Sequence, residues 1–282
     1  PPRSTLFPYT TLFRSPNSTG LGAHMSYAEA AIGGVCEAIE RDSFSIAWQA
    51  MLRPPRIARD SLRPEQIDRL SRFERLGATV TLVDLTTDLG VPTVMAIQRN
   101  RQPGVPPLTF AAATELDPHT AVNKALDELA HTMRYMLHLT RRLPPMPEVP
   151  GYTNVVDQET HLGFWCSQER AEHAAFLMQG TVERGVDELP SISGEGARGK
   201  LAALVARLRD AGFETVLVDV TSPDVHPLGF RVVRAIVPGL HPLFWNHRYR
   251  SLGGTRLRTV PEFLGQRPVL DEADNPFPHP YP

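Results

Sequence analysis

The sequence predicts a mixed α/β fold of two related helix-strand-strand units. The first observation is that segments with helical periodicity alternate with short apolar strands. The second is an internal similarity between VTLVDLTTDLGVPTVMAI at 80–97 and TVLVDVTSPDVHPLGFRVVRAIV at 215–237. In both, an apolar strand ends in Asp-x-Thr, turns, and returns as a second apolar strand, after an amphipathic helix and a Gly turn. This pattern predicts two related units within one mixed sheet. Chance similarity between two hairpins is the alternative.

Bulk composition excludes several classes of protein. The 282 residues suffice for one large domain or two small ones, with 41% hydrophobic and 21% charged residues. A formal net charge of -2 argues against a general nucleic-acid binder. The two cysteines lie far apart, which argues against a disulfide framework or a cysteine zinc site and favours a reduced, cytoplasmic compartment. No apolar run is long enough for a membrane span.

The first residues are interpreted separately. Thr5 to Ser15 read TLFPYTTLFRS, which is what a widely used sequencing adapter looks like when translated. A signal peptide is the competing interpretation, but the segment lacks a continuous apolar core and a small-residue cleavage site. We therefore expect 1–15 to be a non-native, disordered segment joined to an N-terminally truncated domain at 16–274.

The elements follow from periodicity, caps and breakers. Ser26 begins the first helix, with Glu29 completing a capping box. Asp117 and Pro118 begin a long helix that Pro144 and Pro145 end. The predicted helices are 26–51, 61–76, 118–141, 167–179 and 199–211, and the predicted strands are 79–84, 92–98, 215–220 and 230–237. The stretches 16–22, 143–153, 189–199 and 247–258 are predicted to be loops or connections.

Acidic side chains follow one face of the first helix. At about 100° per residue, Glu37 lies roughly 80° and Glu40 roughly 20° from Glu29. Gly33 and Cys36 share this face, so little bulk shields the carboxylates. Such oxygen ligands suit Mg²⁺, which keeps waters and usually bridges to phosphates. A solvated face, with Glu37 paired to an arginine one turn on, is the alternative that spacing alone leaves open.

The run STGLGAHMSYAEAAIGGVCEAIERD at 18–42 resembles the signature of YcaO-domain proteins. The resemblance continues through VDLTTDLGVP, LDPHTAVNKALDELAH and VDVTSPD, and it covers essentially everything after Pro16. It implies that Glu29, Glu37 and Glu40 bind Mg²⁺ and nucleotide phosphates, and that Arg41 contacts ATP and takes part in catalysis.

Two further residues and several departures come with the resemblance. Glu128 and Arg134 on the 118–141 helix are weaker candidates for nucleotide binding, since an exposed Glu and Arg on a long helix are unremarkable. The family often has glutamine where Met25 and His131 stand. The family's earlier Ser-x-x-Glu nucleotide motif is absent, which fits truncation.

The last eight residues, NPFPHPYP at 275–282, carry proline at every second position. Alternating proline predicts an extended tail with little conformational entropy to lose. A disordered terminus or a docking peptide for an aromatic groove is the alternative, and His279 is expected to be solvated. The tail resembles the PxPxP terminus of azoline-forming YcaO cyclodehydratases, which implies that it threads toward the active site and that the carboxylate of Pro282 acts in catalysis.

The resemblance implies an ATP- and Mg²⁺-dependent cyclodehydratase that turns Cys, Ser or Thr residues of a ribosomal precursor peptide into azolines. A leader-binding partner of the ThiF-like or ocin type, or a fused domain with that role, is expected to deliver the peptide; a homodimer is left open. A sibling enzyme that makes thioamides or amidines is one alternative, although the proline tail argues against it. A catalytically inactive fragment that only binds peptide or a partner is the other.

Overall fold

A computed structural model describes residues 18–142, 146–268 and 274–281. The predicted non-native segment 1–15 and the candidate Pro282 lie outside these residues. The strands are β1 (Leu21–His24), β2 (Arg56–Ile57), β3 (Thr79–Asp84), β4 (Thr93–Arg99), β5 (Leu108–Thr114), β6 (Glu183–Arg184), β7 (Val216–Asp219) and β8 (Arg231–Ile236). The α-helices are α1 (Tyr27–Gln49), α2 (Pro64–Arg75), α3 (Pro118–Arg142), α4 (Gln158–Phe164), α5 (Gly196–Asp210) and α6 (Arg256–Phe263).

A five-stranded sheet in the order β5-β4-β3-β2-β6 forms the larger layer. Its pairs are antiparallel except β2 with β6. Because β3 and β5 both run antiparallel to β4, they end at the same edge, where Thr114 lies opposite Thr93 and Asp84 opposite Val94. Every residue of β5 is buried. α1 and α3 both contact β5, so this strand forms the floor between the two helices.

A three-stranded antiparallel sheet, β1-β8-β7, lies against α1. Glycine makes this contact close. A Cβ on Gly22 would lie 1.9 Å from the carbonyl oxygen of Ala30, and one on Gly34 would lie 2.4 Å from that of Gly20. Real Cβ atoms do not approach backbone so closely. Gly20 and Gly22 on the strand side, and Gly34 on the helix, therefore let β1 lie directly on α1.

The two predicted units form hairpins with the same turn chemistry. In β3-β4, Asp84 Oδ1 accepts the Thr86 N–H at 2.9 Å. In β7-β8, Asp219 Oδ1 accepts the Thr221 N–H at the same 2.9 Å. Each threonine hydroxyl also accepts an N–H at the start of the return strand. The hairpins belong to two separate sheets, so the prediction of one shared sheet is wrong, while the mixed α/β class is confirmed.

α1 is the central helix of the core. On one side Phe44, Ile46 and Trp48 are fully buried among aromatic residues that include Trp165. On another, Ile32, Val35 and Ile39 pack with Leu204 and Leu208 of α5 in a second cluster. Burial of each such side chain stabilises the fold by about 1.5–3 kcal/mol. The helix that carries the acidic residues is therefore held from several directions.

Several sequence predictions are corrected. The Ser26 side chain makes no capping hydrogen bond, so the capping box at Glu29 is wrong. The segment predicted as a helix at 167–179 is a 3-10 helix at Gln168–Met178. The surface loop predicted at 247–258 instead contains a buried His247 and the start of α6. Arg256 there is 4% exposed and donates to Asp42 and Asp88, so an ion-pair network buries it.

Candidate active site

A cleft of about 600 Å³ opens between α1, β5 and α3. Its lining combines the acidic face of α1 with backbone of β1 and β5 and with the last described residue of the chain. The lining residues are Leu21, Gly22, Gly33, Cys36, Glu37, Glu40, Arg41, Ala111, Ala112, Ala113, Thr114, Glu115, Lys124, Asp127, Glu128 and Tyr281.

Glu40 is partly buried in this cleft, and both of its carboxylate oxygens accept hydrogen bonds. Oε1 accepts the hydroxyl of Tyr281 at 2.5 Å, and Oε2 accepts the Thr114 N–H at 3.2 Å. Burial raises the pKa of Glu40 to about 7, against the lowering effects of Arg41 and of these hydrogen bonds. A cation bound beside such a desolvated carboxylate would stabilise its charged form.

Glu37 and Arg41 lie beside Glu40 on the same helix. Glu37 Oε2 accepts the Gly20 N–H at 2.8 Å, and the Arg41 guanidinium lies 3.4 Å from Glu37 Oε1. The guanidinium also lies over the Tyr281 ring, 4.5 Å from its centroid. The ion pair of the alternative interpretation therefore exists, but on a partly buried face that opens into the cleft rather than on a solvated one.

The opposite wall comes from the end of β5 and from α3. Glu115 forms an ion pair with Lys124, and Glu128 lies exposed beside them at the rim. Asp127 is paired with Arg69 of α2. Carboxylates thus outnumber cationic side chains in the lining by five to two. A cleft with this excess of negative charge favours a ligand that brings its own cation.

The structure brings together four of the predicted site residues and separates two. Glu37, Glu40, Arg41 and Glu128 line the cleft, whereas Glu29 and Arg134 do not. Glu29 lies eight residues before Glu37, which is about 12 Å along the helix. Within the described residues, no group of three or more His, Cys, Asp or Glu side chains is placed to hold a metal ion. The metal set of Glu29, Glu37 and Glu40 therefore stays a prediction.

The C-terminal tail runs through the core toward this cleft. The indole N–H of Trp48 donates to the carbonyl of Phe277 at 3.1 Å, and that of Trp165 to the carbonyl of Pro278 at 3.0 Å. The next carbonyl, that of His279, accepts from His161 Nδ1 at 2.9 Å. Three consecutive carbonyls thus have side-chain donors. The described part of the tail is extended and largely buried, unlike a disordered terminus.

His279 and Tyr281 are the two side chains of the tail that are most deeply fixed. His279 is fully buried, so the expectation of a solvated histidine is wrong. Its Nε2 donates to the carbonyl of Phe244 at 2.6 Å, its ring stacks on His161 at 3.8 Å, and burial lowers its pKa. Tyr281 is 2% exposed and stacks on Phe44 at 4.3 Å between centroids. Its hydroxyl therefore reaches Glu40 from a rigid position.

The donor set fits a magnesium nucleotide. Glu37 and Glu40 supply the hard oxygen ligands that Mg²⁺ prefers, and since two carboxylates are few, phosphate oxygens and waters would complete its shell. Arg41 supplies a guanidinium for phosphate oxygens. At Gly33 an added Cβ would find only the Cα of Gly22, at 4.0 Å, so the helix surface here leaves room for a ligand.

Sequence reasoning missed Tyr281, Thr114, Glu115 and Lys124. Glu115 directly precedes the LDPHTAVNKALDELAH run that supports the family resemblance, and Lys124 lies within it, so their position was a usable signal. Tyr281 contacts Glu40 across 241 positions of sequence, a pairing that no local pattern encodes. Cys36 is buried and burial raises its pKa, as expected for a structural rather than a nucleophilic cysteine.

Comparison with known proteins places this geometry in context. A family model described as YcaO cyclodehydratase, ATP- and Mg²⁺-binding, matches residues 2–241. An uncharacterized protein of Methanothermobacter thermautotrophicus is 35% identical over 240 residues, which are 82% of this chain and 57% of that protein. The chain thus spans little more than half of this relative's length.

Two solved structures share the fold. A heterocyclase in complex with substrate and cofactor matches with a TM-score of 0.77 and 23% identity, over 94% of this chain and 33% of the other. YcaO from Methanopyrus kandleri bound with AMPPCP and Mg²⁺ matches with a TM-score of 0.61 and 25% identity, over 79% of this chain and 55% of the other.

Among the described residues, no helix has both the length and the apolar character needed to cross a bilayer.

Proposed function

Because this chain belongs to the YcaO cyclodehydratase family, we propose that it carries the ATP-dependent activity of an enzyme that converts Cys, Ser or Thr residues of a ribosomally made peptide into azolines. One observation supports the proposal above others. The buried tail brings Tyr281 onto Glu40 and Arg41 in an acidic cleft, so the proline-rich terminus typical of the azoline-forming group meets the nucleotide motif.

Glu37 and Glu40 would hold Mg²⁺ together with the nucleotide phosphates, Glu128 would contact the bound nucleotide, and Arg41 would neutralise phosphate charge. ATP, when bound, supplies the phosphoryl group that makes an amide-derived oxygen a good leaving group. The residues of this chain then have three tasks: to bind that charge, to orient the peptide carbonyl, and to exclude water. Glu29 and Arg134 are weaker candidates because they lie outside the cleft lining.

The chemistry is a dehydration in two bond-forming steps. The side-chain sulfur or oxygen of the peptide gives up its proton and attacks the preceding backbone carbonyl, and the former carbonyl oxygen takes the γ-phosphoryl group of ATP with release of ADP. Loss of that oxygen as phosphate, with loss of the amide N–H proton, leaves a carbon–nitrogen double bond, which is the azoline. On the family resemblance, the carboxylate of Pro282 is proposed to take part in catalysis.

The proposed partners are the precursor peptide and a leader-binding protein or fused domain of the ThiF-like or ocin type. Sibling enzymes with the same activation chemistry form thioamides or amidines. Product mass separates the two: loss of one water mass per modified residue supports the azoline, whereas a sulfur-for-oxygen shift supports the thioamide.

The decisive experiment compares Glu40→Ala with Glu29→Ala in the enzyme supplied with its precursor peptide. We expect Glu40→Ala to lose Mg²⁺-dependent ATP binding and turnover, because it removes the cleft carboxylate whose pKa burial raises. Calorimetry with AMPPCP and Mg²⁺ and a phosphate-release assay measure these. Glu29→Ala is the matched control on the same helix. Unchanged turnover in Glu40→Ala would refute the assignment, and an equal loss in Glu29→Ala would restore the three-acid metal site.

A further inference from the structure

The three-stranded sheet β1-β8-β7 has one covered face and one open face. Leu217, Val233 and Ala235 pack against α1 and α5 on the covered face. Because side chains alternate along each strand, the intervening residues point away from both helices. Val218 is 41% and Ile236 47% exposed there, and a contiguous exposed apolar patch marks an interaction site. This outer sheet face consists of Leu21, Ala23, Val216, Val218, Val220, Val232, Arg234 and Ile236.

The two hairpins of the internal repeat show which residues are equivalent. Each first strand ends at the aspartate of an Asp-x-Thr turn, so the residue before it, Val83 or Val218, holds the same position. Their cross-strand partners are Met95 and Arg234. Val83 and Met95 are fully buried, whereas Val218 is exposed. The same sheet face is thus closed in the first unit and open in the described part of the second.

An α-helix closes this face in the first unit. Val83, Met95 and Ile97 belong to one apolar cluster with Phe44 and Trp48 from the C-terminal half of α1. The second unit keeps aliphatic residues at two of the three equivalent strand positions. Its outer sheet face therefore offers a helix the same kind of surface.

Arg234 determines which helix fits. It stands where the first unit has Met95, and it lies between Leu21 and Val218, its partners on the neighbouring strands. No carboxylate of the described residues forms an ion pair with its guanidinium. A helix that covered the face would bury this charge, which is costly unless a carboxylate of the helix meets it.

We propose that the outer sheet face docks an amphipathic α-helix with one carboxylate in its apolar stripe, and that this helix belongs to the same protein, in polypeptide that precedes β1. Such polypeptide starts at the border of the face, because Leu21 begins the edge strand β1 and donates its N–H to the Ser18 carbonyl at 3.0 Å. The matched 240 residues are 57% of the Methanothermobacter relative, so that protein has further polypeptide outside the matched region. A second copy is a poorer occupant, because two stacked faces would bring two Arg234 guanidinium groups into one apolar interface.

The outer sheet face adjoins the acidic cleft. Leu21 belongs to both surfaces, and the preceding Gly20 donates its N–H to Glu37. A helix docked on β1 would therefore lie next to the proposed nucleotide site and hold the strand that positions Glu37.

The first test compares the 282-residue chain with the native protein encoded by the complete reading frame. Val218→Cys and the matched control Val156→Cys are made in a Cys166→Ser background, because Cys166 is the more exposed of the two native thiols. Val156 is 44% exposed in the segment before α4, away from this sheet. We expect maleimide to label Val218→Cys at least tenfold more slowly in the native protein, and Val156→Cys equally in both.

Three outcomes would overturn the same-protein helix. One is equal labelling of Val218→Cys in both proteins, and another is a native reading frame that adds no polypeptide before β1. The third is slow labelling already in the 282-residue chain together with a dimer in light scattering, which would show that a second copy covers the face.

The second test addresses the carboxylate. Designed helical peptides of about five turns, with a leucine stripe and a central glutamate, glutamine or lysine, are titrated into the 282-residue chain by fluorescence anisotropy. We expect the glutamate peptide to bind roughly three- to tenfold more tightly than the glutamine peptide, and the lysine peptide to bind most weakly. Arg234→Met, which copies the first unit, should bind all three without preference. Val218→Lys should weaken all three, whereas Val156→Lys should not.

Equal binding of the three peptides by the wild type, or a glutamate preference that persists in Arg234→Met, would refute the pairing with Arg234. Absence of binding by any peptide would refute the docking surface itself. Melting temperatures of the variants separate lost binding from lost folding, and Arg234→Met is expected to fold because methionine occupies the equivalent position in the first unit. Neither test uses nucleotide, so both stand even if the chain shows no ATP turnover.

Discussion

At the scale of single residues, Tyr281 joins two parts of the molecule that are far apart in the chain. Its ring stacks on Phe44, its hydroxyl donates to Glu40, and the Arg41 guanidinium lies over its face. The hydrogen bond from the tyrosine hydroxyl also holds the Glu40 carboxylate in one orientation. We therefore regard Tyr281 as a residue that positions the acid and the arginine.

The variant Tyr281→Phe tests this role. It keeps the ring contacts and removes only the hydrogen bond to Glu40, so we expect kcat for ATP turnover to fall by about tenfold, which corresponds to ~1.4 kcal/mol. Tyr152→Phe is the control, since that hydroxyl makes a long contact to Glu148 at the surface. An unchanged kcat in Tyr281→Phe, with the melting temperature of wild type, would show that the hydroxyl has no part in the reaction.

The sequence supported the prediction of the acidic residues but not of their partners. Glu37 and Glu40 were placed on one helix face by periodicity, and Arg41 followed from the family resemblance; all three line the cleft. Glu29 shares that face in angle, yet it lies too far along the axis to reach the same cleft. His279 was expected to be solvated because a terminal histidine usually is. Its burial depends on Phe244 and His161, which belong to other elements.

At the scale of elements, the contact between β1 and α1 orders the entrance of the cleft. Gly20 has a positive φ of 87° and donates its N–H to Glu37. Gly22 faces the α1 backbone with no room for a side chain. The glycine-rich run thus brings a backbone donor to a carboxylate of the helix. In this chain the glycines therefore let β1 approach closely enough to position Glu37.

The variant Gly22→Ala is expected to destabilise the fold by more than ~1–3 kcal/mol, the usual range for overpacking, because the added Cβ meets backbone that cannot rotate away. It should also weaken AMPPCP binding by displacing the Gly20 N–H from Glu37. Denaturant unfolding and calorimetry measure the two effects. Gly163→Ala is the control, since a Cβ there meets nothing within 4 Å. Wild-type stability in Gly22→Ala would contradict the close packing described for β1.

The four predicted strands agree with the structure to within one residue, but the sequence did not reveal every strand. α1, α2 and α3 begin and end within about three residues of their predicted limits, because apolar periodicity and proline breakers mark them. β1 and β5 were missed. β5 reads LTFAAAT, with three consecutive alanines, and β1 contains glycine, so both are poor in the residues that indicate strands. β5 is fixed by burial against α1 and α3, and β1 by its pairing with β8 and its contact with α1, which is tertiary context that no local window contains.

At the scale of the whole molecule, buried histidines, of which His161 and His247 contact the tail, predict acid lability. Burial lowers the pKa of His161, His241 and His247 to about 4. Unfolded histidines bind protons below about pH 6.5, so between pH 6.5 and 4 the unfolded chain binds more protons than the folded one. Stability should therefore fall as pH falls through this window. Glu40, whose pKa is raised to about 7, opposes this trend as a single group between pH 4.5 and 7.

Urea unfolding at pH 7.5, 6.5, 5.5 and 4.5 measures the effect. We expect the midpoint to drop on acidification, and His161→Gln to reduce the drop because glutamine donates to the His279 carbonyl without titrating. His131→Gln changes an exposed imidazole and should retain the wild-type profile. A midpoint that stays constant from pH 6.5 to 4.5 would contradict the burial of these histidines.

The tail also completes the core, which bears on how its function is tested. Deleting Phe277 to Pro282 removes the acceptors of Trp48, Trp165 and His161 and exposes Phe44. We expect this deletion to lower the melting temperature by several degrees, since each buried donor left unpaired costs ~1–3 kcal/mol. Nucleotide binding should weaken with it, because Glu40 and Arg41 lose Tyr281. Adding the peptide NPFPHPYP in trans should restore part of the stability, and a scrambled peptide should not.

Deleting Pro282 alone should leave the melting temperature unchanged and lower azoline formation, as the family resemblance implies for a terminal carboxylate that acts in catalysis. If both deletions left the melting temperature unchanged, the tail would not be part of the core. If deletion of Pro282 alone left azoline formation unchanged, the tail would act only through its packing.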